Sequence, residues 1–79
     1  SEAMKDASPE AIAAAAFQLI EIGSKASSNP VGIGVGIVAG LAAEVCMEML
    51  DAKRSSEADK LKKEIEMQLS CLKAATGHK

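Results

Sequence analysis

From Val31 to Leu50 the chain is an almost unbroken apolar run, and Gly32, Gly36 and Gly40 recur in it every four residues. On an α-helix that spacing stacks three positions without side chains along one stripe. Such a stripe lets a second backbone come close, so the segment is suited to tight contact with another helix or with lipid. No other stretch narrows the fold as much.

A period-two reading of the same run makes a strand of Val31, Ile33, Val35 and Ile37, with glycines on its other face. Three features favour helix. No partner strand is visible elsewhere, and Asn29-Pro30 supplies a cap followed by proline at the first helical position. The run also continues into Leu41-Ala42-Ala43-Glu44, which are helix formers. Ser8-Pro9-Glu10 opens an earlier helix with the same grammar, Glu10 facing the positive end of the dipole. Gly23, Ser24, Ser27 and Ser28 weaken that helix to an end near Ala26.

Lys53 and Arg54 suit the negative end of the second helix, and Ser56-Glu57-Ala58-Asp59 reads as a variant capping box for a third. Leu61, Ile65, Leu69 and Leu72 give the third helix an apolar stripe, and Asp59 and Lys63 are spaced for an i, i+4 ion pair. Lys60, Lys62, Lys63, Glu64 and Glu66 fall on its wet side, and Gly77 is its stop. The expected helices span about 9–26, 30–54 and 57–75 of a single domain 1–79, with loose tails at 1–7 and 77–79. The fold class is all-α: a three-helix up-down-up bundle, or a helical hairpin completed by self-association.

Phe17 is the only aromatic residue in 79, so the core must come from Ile, Leu, Val, Met and many alanines. A domain of this length buries only about 60 % of its unfolded surface, which favours a chain that associates. A net charge of −2 and the lack of a stacking platform exclude a nucleic-acid binder. No catalytic constellation emerges. His78 sits at the frayed end, and Glu44 and Glu48 lack the histidine three positions on that a di-metal bundle site requires. Gly32, Gly34 and Gly36 have neither a preceding strand nor a following Lys-Ser/Thr, so they are no phosphate loop. The expectation is a non-enzyme with no cofactor and no metal.

Cys46 and Cys71 have no metal spacing. A hairpin turning near Ser55 sets Cys46 opposite residue 64, beyond the roughly 7 Å Cα limit for bridging to Cys71. They read as two small buried hydrophobes in a reducing compartment. Ser1 to Pro9 shows no secretory pattern, which points to the cytoplasm or to a membrane-associated position.

Glu44, Glu48 and Asp51 form a polar stripe that projects back through Gly40 and close to Gly36. The broad apolar face then falls to Val38, Leu41, Ala42, Val45, Met49 and Leu50, leaving the glycine stripe spare for a contact beyond the internal core. On this reading Gly32, Ile33, Gly36, Ile37, Gly40 and Leu41 are the interaction residues of an oligomerisation module. Their partner is a second copy or another helical protein. Two alternatives compete: packing inside the chain against Ala13, Ala14, Ala16 and Gly23, or insertion of Val31–Ala43 into a membrane. Thirteen apolar residues fall short of the ~20 needed to span, and Glu44 and Glu48 each add about 2 kcal/mol or more at depth. Ala58, Leu61, Ile65, Gln68, Leu72 and Ala75 give the third helix a weak coiled-coil spacing that Gln68 interrupts.

Overall fold

The computed structural model describes residues 7–76. The Gly77 stop, the His78-Lys79 tail and nearly all of the expected tail 1–7 lie outside these residues. Three helices pack against one another, with no strand among the described residues: α1 (Pro9–Ser27), α2 (Ile33–Lys53) and α3 (Ser56–Thr76). A 3₁₀ turn, Pro30–Gly32, leads into α2.

The punctuation read from sequence is used as written at the first two starts. Ser8 Oγ accepts from Ala11 N–H at 3.2 Å, with Pro9 at the first helical position. Asn29 Oδ1 accepts from Val31 N–H at 3.0 Å, and Gly32 N–H donates to the Asn29 carbonyl at 2.8 Å. The second helix therefore begins as a tight 3₁₀ turn rather than as α-helix from Pro30. Its glycine- and valine-rich first residues are poor α-helix formers, and a 3₁₀ turn is a common way to begin. The third start is displaced by one residue from expectation. Ser55, not Ser56, is the cap: its Oγ accepts from Ala58 N–H at 3.0 Å and its carbonyl from Asp59 N–H at 3.0 Å.

Two residues, Arg54 and Ser55, separate α2 from α3, and the reversal rests on Arg54, which adopts φ 51° and ψ 47°. The left-handed region costs a residue with a Cβ about 1–2 kcal/mol, and glycine almost nothing. Arg54→Gly should therefore raise stability by about 1 kcal/mol, read as a higher urea midpoint at unchanged slope. An unmoved midpoint would show that the arginine side chain offsets its own strain.

The core is small-sided. Ile12, Leu50, Ile65 and Leu72 are the large side chains fully shielded from solvent. Ala13 and Ala16 of α1, Ala39 and Ala43 of α2, and Ala58 of α3 fill much of the rest. Surface charges tie α3 to α2. Lys62 Nζ donates to Asp51 Oδ1 at 2.8 Å near the turn, and Lys73 pairs with Glu44 further along. The Asp59–Lys63 pair expected within α3 does not form at contact distance; the neighbouring Lys62 reaches across to α2. The hydrogen bond and charge of Lys62 hold the Asp51 carboxyl below the usual carboxylate range, and the bond from Asp51 pushes the Lys62 ammonium up.

Candidate interaction surface

Helix α2 is apolar nearly all round, so its two sides differ in size rather than polarity. The small side faces inward. Gly36, Ala39, Gly40, Ala43, Cys46 and Leu50 are its buried residues. A Cβ built on Gly36 would lie 2.9 Å from Thr76 Cγ2 and 3.4 Å from the Gly23 carbonyl oxygen. One on Gly23 would lie 3.0 Å from Leu72 Cδ2 and 3.2 Å from Ala39 Cβ. Gly36 of α2 thus lies against the backbone of α1 at Gly23, with the Leu72 methyls of α3 beside it. Gly40 is looser, with Leu69 and Leu72 methyls 3.8 Å from its built Cβ. Gly32 abuts the Ala26 carbonyl at the corner between α1 and the 3₁₀ turn, where no side chain fits.

This placement corrects the expected orientation. Gly36 and Gly40 are buried and Gly32 is partly buried; all three contacts are made within the chain. Gly36 rests on α1 at Gly23 and Ser27, and Gly40 faces Leu69 and Leu72 of α3. Of the α1 residues expected opposite the stripe, Ala13, Ala16 and Gly23 are buried and Ala14 is exposed. Of the other expected interaction residues, Ile33 and Leu41 are exposed and Ile37 is half-buried. The physical reason is packing distance. A small side lets three helices of modest length come close enough to exclude water, whereas inward valines would hold them apart.

The large side consequently faces out. Val31 is 90 % exposed, Val38 65 %, Leu41 54 % and Val45 54 %, with Val35 at 51 %. Glu44 and Asp51 border this face but turn toward α3, each engaged by a lysine. Glu48 is exposed and has no ion-pair partner among the described residues. Sequence reasoning had assigned Val38, Leu41 and Val45 to the inner face. Periodicity could not correct it, because a helix apolar on every side carries little amphipathic signal. The usable clue was volume: inward positions repeat as Gly, Ala and Cys, outward ones as Val and Leu.

No family model, curated protein or solved structure matches this chain.

The groove between α2 and α3 is lined by Glu44, Glu48, Asp51, Lys62, Glu66 and Lys73. Among the described residues no group of His, Cys, Asp and Glu is placed to hold a metal ion. Both cysteines are free thiols, but they differ: Cys46 is buried and Cys71 exposed, so the expectation of two buried thiols holds for one. Burial pushes the Cys46 thiol pKa up. A raised folded value keeps this contribution to stability intact below the ordinary thiol pKa of 9.0 and loses it as pH rises through the higher folded value. At about pH 8 a thiol reagent should modify Cys71 at once and Cys46 at least ~10-fold more slowly, at a rate set by opening of the fold. Equal rates in a thiol titration would show that α2 is not seated as described.

Proposed function

We propose that the chain is a non-catalytic docking module that uses the outer face of α2 to pack against a helical protein surface. The observation behind this reading is the run of large apolar side chains left in solvent at Val31, Val35, Val38, Leu41 and Val45. Scattered exposed hydrophobes need no explanation, but a contiguous apolar face along one helix marks a contact site. The reading keeps Ile33, Ile37 and Leu41 as contributors to docking. It gives Gly32 and Gly36 the part of seating the 3₁₀ turn and α2 on α1, and Gly40 that of admitting the α3 leucines, so that the outer face stands on a rigid base.

The proposal includes an up-down-up course for the three helices. Its support is the order of the contacts: Asp51 meets Lys62 near the turn, Glu44 meets Lys73 further on, and Gly36 meets Thr76. Gly23 and Gly40 both meet Leu72, which sets α1 beside the same part of α3.

A second reading, contact with a membrane, has one specific observation in its favour. The segment Pro30–Lys53 is 24 residues long and apolar enough to cross a bilayer, with 28 % of its most apolar window buried. Against it, Glu48 stands on the exposed side and no Trp or Tyr is present to anchor an interface. Co-sedimentation with vesicles of phosphatidylcholine and phosphatidylglycerol separates the two. A protein-docking module remains in the supernatant. Pelleting that Val38→Asp reverses would assign the face to lipid and overturn the proposal. Val38→Asp should leave helicity by circular dichroism unchanged, because the side chain it replaces contributes little to the internal core.

A further inference from the structure

We infer that the partner of this face is a second copy of the chain, paired antiparallel along α2; the inference rests on the docking reading above. Val31, Val38 and Val45 recur at a spacing of seven, and Leu41 falls midway between the last two. All four are exposed; Val38, Leu41 and Val45 share one face of α2 by helical spacing, and Val31 extends it from the 3₁₀ turn. A seven-residue repeat keeps a seam facing a second helix along its length, and lipid imposes no such register.

Gly34 completes the seam, seven residues before Leu41. It is exposed, and a Cβ built on it would meet nothing within 4 Å. Gly23, Gly32 and Gly36 each face a close neighbour inside the chain. For Gly34 the fold gives no such reason, although glycine in a helix costs about 1 kcal/mol relative to alanine. A bare position on an outward apolar seam is suited to receive a side chain of a closely packed partner.

Charge sets the direction. The next position of the repeat, seven beyond Leu41, is Glu48, which has no ion-pair partner among the described residues. A parallel pair would bring two Glu48 carboxylates face to face. An antiparallel pair centred between Val38 and Leu41 instead sets each Glu48 opposite Val31, in the partner's 3₁₀ turn just ahead of α2. Asn29 already caps that turn, but neither the turn nor the first turn of α2 carries an acidic residue, and the dipole end is positive. The same register sets Val45 over Gly34, large against absent, and Val38 against Leu41. At roughly 100 Å² from each of the four seam side chains, the pair buries about 800 Å², below the ~1,000 Å² of a stable specific interface. The dimer is accordingly concentration-dependent rather than permanent.

The test is solution mass by light scattering across a concentration series, without detergent. The expected result is a mass rising from the 8.1 kDa of one chain toward twice that value, and Val38→Asp holding the monomer throughout with helicity intact. Direction is read by cross-linking in a Cys71→Ser background, mixing Gly34→Cys chains with Val45→Cys chains. Antiparallel pairing gives the mixed disulfide, and Gly34→Cys alone does not cross-link to itself. A mass that stays at one chain overturns self-pairing. If the chain also stays off vesicles, docking on a foreign helix survives; if it pellets with them, both readings fall together. A dimer unaffected by Val38→Asp, or one in which Gly34→Cys self-links, overturns the assigned seam or its direction.

Discussion

Replacing Gly36 with leucine will destabilise the chain by about 3 kcal/mol, the upper part of the range for overpacking a filled interior. The first carbon of the new side chain already meets Thr76 Cγ2 at 2.9 Å and the Gly23 carbonyl at 3.4 Å, and three more carbons must follow it. Thr76 is the last residue of α3 and its methyl can move aside; the Gly23 carbonyl belongs to the backbone of α1 and cannot. The variant therefore has to push α1 and α2 apart, opening the contacts around Ala39 and Leu72 as well. For a domain this short the whole stability is about 4–12 kcal/mol, so such a loss is large. Gly36→Ala should differ sharply. It asks only for a shift of Thr76, and its gain of about 1 kcal/mol in helix propensity offsets that cost. Urea unfolding of the two variants checks the contrast, and a mild effect of leucine would remove Gly36 from the interior.

Leu72→Ala carries the second large effect, a loss of about 3 kcal/mol. Leu72 is fully buried, and its two methyls occupy the space between Gly23 and Gly40 where all three helices meet. Removing them leaves a cavity walled by backbone and alanine, which closes poorly because neither has a side chain to swing inward. The same geometry couples two sites. In the native chain Gly23→Ala is harmful, since its Cβ would press on Leu72 at 3.0 and 3.1 Å. With alanine at position 72 the Leu72 part of that pressure is gone and only the Ala39 Cβ contact at 3.2 Å remains, so Gly23→Ala should cost less. A double-mutant cycle should return a coupling of about 1 kcal/mol or more, whereas additive effects would place Leu72 elsewhere.

These two residues also show what could be read without coordinates. Helix positions were legible to within a residue, save that α2 begins three residues after the expected start at Pro30, because Ser8-Pro9 and Asn29-Pro30 are local signals whose chemistry needs no tertiary context. The inner side of α3 was legible too, since Ile65, Leu69 and Leu72 stand against charged neighbours. The orientation of α2 was not. Its polar residues are confined to its second half, and two of them, Glu44 and Asp51, point toward α3 because Lys73 and Lys62 meet them there. Projecting that stripe backward turned Gly36 and Gly40 outward, when the cross-helix ion pairs had drawn the carboxylates toward the interior's edge. The lysines on α3 that meet these carboxylates lie outside a single-helix projection. Ser55 was missed as the cap of α3 for a smaller reason: Ser55 and Ser56 are adjacent hydroxyl residues, and either can serve.

The alanine-rich interior has a thermal consequence. Five of the twelve buried apolar residues among those described are alanine, so unfolding a single copy exposes little new hydrocarbon to water. Heat-capacity change follows exposed apolar area, at about 12–15 cal/mol/K per residue for ordinary domains. This chain should fall below that value, giving a broad, flat stability curve and a shallow response to cold. The valines outside the fold are already hydrated in the lone chain and contribute only when something covers them. Under the proposed pairing along α2, calorimetry at rising protein concentration records a growing heat-capacity step, because the outer valines then leave water only on association.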